Sequence, residues 1–278
     1  MSSITYVSAF YDLGRDKWKT FPRTFEEYLK GFRPFIEMFS QPPEEIGMYN
    51  MVLFIDSKHI ETLRKEIHPH TKITLIPIDS QFLWDNLPMW RTLSIEKYIM
   101  ETQRFKNIVA HRSMCPECYI PEYTLINHCK IDYICHLIDK CALYKVSPSD
   151  YYCWVDFGYN MLPERIPERM LDPQKLDPNK VNYTLINPIT QSDRDILQTM
   201  SHALEKVGGF FFCGSSYILK QYQTLYHQVL TYYQNVLGLA DDDQALVLAC
   251  FFHRPDMFAM HYTGKWHEAL VHFQKDVK

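Results

Sequence analysis

The chain has 278 residues, of which 46 % are hydrophobic and 22 % charged, a globular balance that excludes a disordered chain. Its net charge of −4 carries no basic footprint for nucleic acid. No apolar run approaches the roughly 18 residues that span a bilayer, and Met1-Ser2-Ser3-Ile4 lacks a basic leader, so the reading is a cytoplasmic protein, or one peripheral to a membrane, without a transmembrane segment.

Ile4 to Tyr11 is β-branched and aromatic and meets the turn signal Asp12-Leu13-Gly14-Arg15, which predicts a first strand. Thr24 to Met38 has the apolar spacing of an amphipathic helix, with Phe25, Tyr28, Leu29 and Phe32 on one stripe. Met51 to Ile55 reads as a buried parallel strand ending at Asp56-Ser57, with Ser57 capping a helix through Ile67. Lys72 to Ile78 is the third strand. This βαβαβ order predicts a parallel sheet with right-handed crossovers.

Leu93 to Phe105 reads as one helix and Tyr123 to Tyr144 as a second, longer one. Tyr151 to Val155 is a strand that runs directly into Asp156-Phe157-Gly158. Residues 160–182, rich in Pro and charge without periodicity, read as a surface excursion. Val181 to Ile186 follows as a strand, then a Ser192-capped helix to about Val207. A strand bracketed by glycines, Gly208 to Gly214, precedes a Ser216-capped helix from Tyr217 to Leu237. Asp241-Asp242-Asp243 opens a helix apolar nearly all round from Ala245 to Phe252, hence buried. Met257 to Tyr262 is the last strand. No repeat or linker divides the chain, so one α/β domain over 1–278 is expected, a mostly parallel central sheet flanked by helices. The eight cysteines are expected as reduced, buried thiols. Cys115-Pro116-Glu117-Cys118 has the spacing of a zinc pair, but no second pair follows it.

In open parallel sheets, ligands bind beyond the carboxyl ends of the strands. Phe10-Tyr11-Asp12, Asp156 and His261 all fall at such ends. A strand-end carboxylate followed by Gly158 suits a divalent cation and a diphosphate. The acidic run Asp241-Asp242-Asp243 reads either as plain helix capping or as the source of a general base.

His261-Tyr262-Thr263-Gly264-Lys265-Trp266 resembles, shortened and without its Pro, the His-x-x-Gly-x-x-Lys-Pro-Trp closing motif of one group of GT-A glycosyltransferases. That resemblance implies a metal ligand at His261 and diphosphate contacts at Gly264 and Lys265. Over nearly the whole length the chain resembles the HtrL/YibB family. The residues that carry this are Ser8 to Arg15, Asn50-Met51-Val52, Pro121-Glu122-Tyr123 with Asn127 and Lys130, Trp154 to Tyr159, Gly209-Phe210-Phe211 and Asp243-Gln244. It implies a GT-A-like, Rossmann-like fold and a role in assembling bacterial or large-virus surface glycans, the latter in the host cytoplasm. The expected activity is transfer of a hexose or pentose from a UDP-sugar to a sugar hydroxyl of an oligosaccharide. The donor half would run to about residue 158 and the acceptor half from 159 to 278. Phe10 and Tyr11 would cover the base, Arg15 or Lys130 would lie near the phosphates, and Asp156 with His261 would hold Mn²⁺ or Mg²⁺. Asp243, then Asp242, are the candidates for an acceptor base in an inverting transfer. A retaining transferase and a non-catalytic nucleotide-sugar-binding protein are the alternatives.

Overall fold

The computed structural model describes residues 2–39, 48–68, 71–159, 167–202 and 204–276. Seven strands lie where apolar runs predict them: β1 (Ile4–Phe10), β2 (Tyr49–Asp56), β3 (Ile73–Ile78), β4 (Tyr151–Val155), β5 (Val181–Leu185), β6 (Val207–Ser215) and β7 (Phe258–Tyr262). They form one sheet in the order β3-β2-β1-β4-β6-β5-β7. β3, β2, β1 and β4 are mutually parallel, β6 runs against β4 and β5, and β7 is parallel to β5. The chain is therefore a Rossmann-like α/β protein, and its two halves share this sheet.

Helices cover both faces because alternate residues of the central strands are apolar on both sides. On one face Val7, Phe54, Trp154 and Phe212 pack on α6 (Pro121–His128), α7 (Lys130–Lys140), α9 (Ser216–Tyr232) and α10 (Asp243–His253). On the other, Tyr6, Leu53, Cys153 and Phe211 pack on α1 (Phe25–Met38) and, further along the chain, on the short Ala269–Phe273 helix. The N-terminus of α1 carries a reciprocal capping box between Thr24 and Glu27.

Several helices differ from the sequence reading for local reasons. Asp56, rather than Ser57, caps the turn after β2 by accepting the Lys58 N–H, and α2 starts only at Ile60 (Ile60–Glu66). A further helix, α3 (Ser80–Asn86), capped by Asp79, was hidden in a short segment of weak periodicity. The Leu93–Phe105 segment splits into α4 (Leu93–Glu101) and α5 (Gln103–Ile108), because Thr102 takes extended backbone and its hydroxyl accepts the Phe105 N–H. The long helix expected from Tyr123 is interrupted at Cys129, between α6 and α7. After Ser192 the chain makes only a short turn; α8 (Ile196–Ser201) is capped by Asp195.

Part of the segment read as a surface excursion, 160–166, lies outside the described residues. Its later part runs along the surface but is anchored in the core: Met170, Leu171 and Leu176 are buried between exposed residues, and Leu171 exchanges hydrogen bonds with the Tyr6 and Tyr49 hydroxyls. Those two rings need polar partners inside an aromatic layer, and the excursion supplies them. The cysteine reading also changes. The β4–β6 register sets Cys153 opposite Cys213, and they are joined as a disulfide; the other six are unpaired.

Candidate functional site

β1 and β4 are adjacent and parallel, so their C-terminal ends open side by side. A cleft of about 240 Å³ lies there. The ends of these strands and the segments after them, Phe10 to Arg15 and Asp156 to Gly158, line it together with Tyr123, Ile126 and Asn127 of α6 and the first turn of α7. Tyr11, Trp18, Tyr123 and Trp154 give it aromatic walls, and Arg15, Arg23, Asn127 and Asp156 give it polar groups. Phe10, Tyr11, Arg15, Lys130 and Asp156, singled out from sequence, thus come together.

The Arg15 guanidinium is held in place. Its Nε donates to the Phe21 carbonyl at 2.9 Å and Nη1 to the Tyr28 hydroxyl at 2.7 Å, and it lies 5.4 Å from the Trp18 ring centroid. Arg23 stacks over the same Tyr28 ring at 4.7 Å. Phe10 has a different neighbourhood from its expected place over a base: its ring is packed among Phe25, Tyr28, His59 and Phe157. Tyr11 also lines the cleft and meets Trp90 edge-on. Asp12, at the same strand end, accepts from His59 at 2.9 Å and pairs with Lys58 at 2.8 Å. Burial works against its ionisation, yet these two partners draw the carboxyl down to about 2.

Behind the cleft sits a buried ionic cluster. Lys130, at the start of α7, sends its ammonium to Asp243 Oδ2 (2.8 Å), to the Gly209 carbonyl (2.9 Å) and to both Asp156 oxygens (3.1 and 3.2 Å). Three N–H donors meet three acceptor groups, so this ammonium is fully used inside the protein. Burial alone would disfavour its charge, but the Asp156 and Asp243 carboxylates outweigh that and hold it protonated above its usual range. Asp156 Oδ1 also accepts the Trp154 indole N–H. The two acids differ in access. The Asp156 side chain keeps 28 % exposure and lines the cleft, whereas that of Asp243 keeps 9 %. Burial pushes the Asp243 carboxyl up to about 7 against the pull of Lys130.

Asp242 is the helix N-cap of α10, accepting the Gln244 N–H at 3.1 Å. It also lines a second, smaller recess of about 60 Å³ with Arg112, Glu117, Thr199, Asp241 and Gln244. Arg112 is buried between Glu117 (2.6 Å) and Asp241 (3.2 Å). Tyr123 lines the cleft; burial first, then the Asp242 charge, raises its hydroxyl, while Arg15 opposes. Of the acidic pair, Asp242 is half-buried and lines the recess, and Asp243 is the one that pairs with Lys130.

The closing motif goes elsewhere. β7 lies three strands from β4 in the sheet order, ~14 Å at ordinary strand spacing. His261 turns to Phe273 and His272 on the α1 face, with Asn182 Oδ1 at 3.3 Å, while Asp156 turns to Lys130 on the α7 face. Gly264 takes a positive φ of 73° beyond β7, and Lys265 is exposed and paired with Glu268 at 3.1 Å. None of the three lines the cleft. The divalent cation implied between Asp156 and His261 thus does not fit these residues: they occupy opposite faces of the sheet, and Asp156 is already engaged by Lys130 and Trp154. Sequence reading missed Arg23, Trp18 and the recess around Arg112. The one local signal for the first two is the run of basic and aromatic residues in the loop from Arg15 to Arg23.

A family model described as "Bacterial protein of unknown function (HtrL_YibB)" matches residues 2–275. The chain is also similar to Protein HtrL of Escherichia coli (strain K12), 25 % identical over 282 residues that cover 99 % of this chain and 94 % of that protein. The chain belongs to the HtrL_YibB family.

Proposed function

We propose that this protein is a GT-A-like glycosyltransferase that takes a UDP-sugar in the cleft between β1 and β4 and passes its hexose or pentose to a sugar hydroxyl of a glycan. The observation that carries this reading is one cleft combining aromatic walls, two guanidinium groups and a fixed carboxylate at parallel strand ends. Tyr11 and Trp18 offer π faces to a base. Arg15, two of whose nitrogens are already anchored, turns its remaining N–H groups to the diphosphate, which a planar guanidinium grips in two-pronged fashion. Asp156, held by Lys130, accepts hydrogen bonds from sugar hydroxyls.

The acceptor lies in the cleft along Tyr123, whose hydroxyl feels the Asp242 charge. The acceptor's hydroxyl oxygen attacks the anomeric carbon as the bond to the diphosphate breaks, and UDP leaves with the electron pair. Asp242, whose carboxyl is raised first by burial and then by Glu117, takes the hydroxyl proton. This is an inverting transfer. A non-catalytic nucleotide-sugar-binding protein is the second reading, favoured by the enclosure of Asp243 behind Lys130.

Incubation with a panel of UDP-sugars, with release of UDP followed by mass spectrometry, tests this, because a transferase leaks donor to water. Slow UDP release from one or two donors, abolished by Asp156→Ala, is the expected outcome. UDP binding with no release, in the presence of mixed oligosaccharide acceptors, would favour the second reading, and preferential binding of ATP or NAD would overturn both.

A further inference from the structure

Lys130 stands where the site would otherwise need a cation. Its ammonium touches the strand-end carboxylate Asp156, the helix-start carboxylate Asp243 and a strand carbonyl, Gly209 O, all within 3.2 Å. Two carboxylates and a carbonyl around one positive centre are an oxygen set of the kind a hard divalent ion takes. Here the set is closed by a group covalently part of the chain. The side chain is 7 % exposed, and it reaches the set from α7, which packs along β1 and β4. For an ion to enter, the ammonium would have to give up three acceptors and both of its carboxylate partners, a costly exchange for a charge whose side chain is only 7 % exposed.

We infer that Lys130 is the resident cation of this site, and that the protein binds its nucleoside diphosphate ligand without a divalent metal. The inference rests on the reading of the cleft as a nucleotide-sugar site. Positive charge for the diphosphate then comes from Arg15 and Arg23, both of which line the cleft. Lys130 acts as a positioning residue: it fixes the Asp156 carboxylate toward the cleft and offsets one of the two negative charges that Asp156 and Asp243 bring together. Gly209 belongs to the same device, since a side chain there would collide with the Asp243 carboxylate that completes the set.

Two measurements on the full chain test this, the first without any nucleotide. Mn²⁺ alone is titrated into the wild type and into Lys130→Met, with bound Mn²⁺ read by electron paramagnetic resonance. The wild type should bind no Mn²⁺ at this site, and Lys130→Met, which bares both carboxylates, should gain one Mn²⁺ that Asp156→Asn in the same background removes. A stoichiometric Mn²⁺ in the wild type, lost in Asp156→Asn, overturns the inference whether or not Lys130→Met folds. In the second, UDP is titrated calorimetrically in excess EDTA and in MnCl₂. Affinities within about twofold support the inference, and UDP binding seen only with Mn²⁺ overturns it. Failure of UDP to bind in either condition overturns the metal-free nucleotide site and, with it, the reading of the cleft; a metal-free wild type in the first measurement would then still support Lys130 as the resident cation.

Discussion

Gly209 and Asp243 approach so closely that a methyl group placed on Gly209 would lie 2.7 Å from Asp243 Oδ2 and 2.9 Å from Oδ1. The glycine is thus a condition for the ionic cluster, because it lets the start of α10 settle against β6. Gly209→Ala should destabilise the protein by roughly 1–3 kcal/mol, the usual range for overpacking a filled interior. Asp243→Ala should remove the collision, so the double variant should lose less than the sum of the two single ones. Thermal or urea unfolding of the four proteins of this cycle measures it, and strict additivity would mean the contact is not felt.

Lys130 predicts a second pattern. Removing one partner of a buried ion pair leaves an uncompensated charge and costs about 3–5 kcal/mol. Lys130→Met should fall in that range at pH 8, where Asp243, with its carboxyl near 7, is mostly ionised. The same variant should lose less at pH 6, where Asp243 takes up a proton. A loss that is equal at both pH values would show that Asp243 does not respond to Lys130.

Arg15 and Arg23 are assigned to the diphosphate. Each hydrogen bond to a charged group contributes about 1.5–3 kcal/mol, so Arg15→Ala and Arg23→Ala should each weaken UDP binding by roughly 10- to 100-fold. Both residues sit in the loop after β1, so the loss of their local hydrogen bonds and ring contacts should lower the melting temperature by only a few degrees. Lys265→Ala, exposed and paired with Glu268, should leave UDP affinity unchanged. Calorimetry on the three variants checks this; a loss confined to Lys265→Ala would move the phosphate site to the loop after β7.

Glu96 offers a test of pH dependence away from the cleft. It is fully buried, bonded by Gln234 at 2.8 Å and Thr124 at 3.0 Å, and burial pushes its carboxyl up to about 7. The unfolded chain releases this proton near pH 4.5, so the folded form holds the extra proton between there and about 7. Its contribution is fully present below 4.5 and lost as pH rises through 7. Glu96→Gln cannot ionise, so its melting temperature relative to wild type should rise between pH 5 and pH 8. A constant difference across that range would show that Glu96 titrates normally.

The sheet was legible because each strand is a β-branched or aromatic run bounded by turn residues, and the Asp156 rim because a carboxylate follows such a run directly. The ionic cluster was not legible. Lys130 lies 26 residues from Asp156 and 113 from Asp243, and only the packing of α7 and α10 against the same strands brings them together. In sequence Lys130 looks like one more cation for a phosphate. The closing motif misdirected the reading of His261 for a related reason: local pattern places it at a strand end, while strand order puts β7 at the sheet edge, remote from β4. Helix phase, invisible in a run of three acids, turns Asp243 inward and leaves Asp242 on the recess, which is why the proposed base is Asp242.

A crystal structure of the protein with UDP tests the central claim most directly. The account predicts UDP between the ends of β1 and β4, its uracil against Tyr11 or Trp18, its diphosphate within hydrogen-bond distance of Arg15, and its distal phosphate directed toward Asp156. UDP bound instead at the loop after β7, over Gly264 and Lys265, would contradict it, as would a cleft that stays free of nucleotide at saturating UDP.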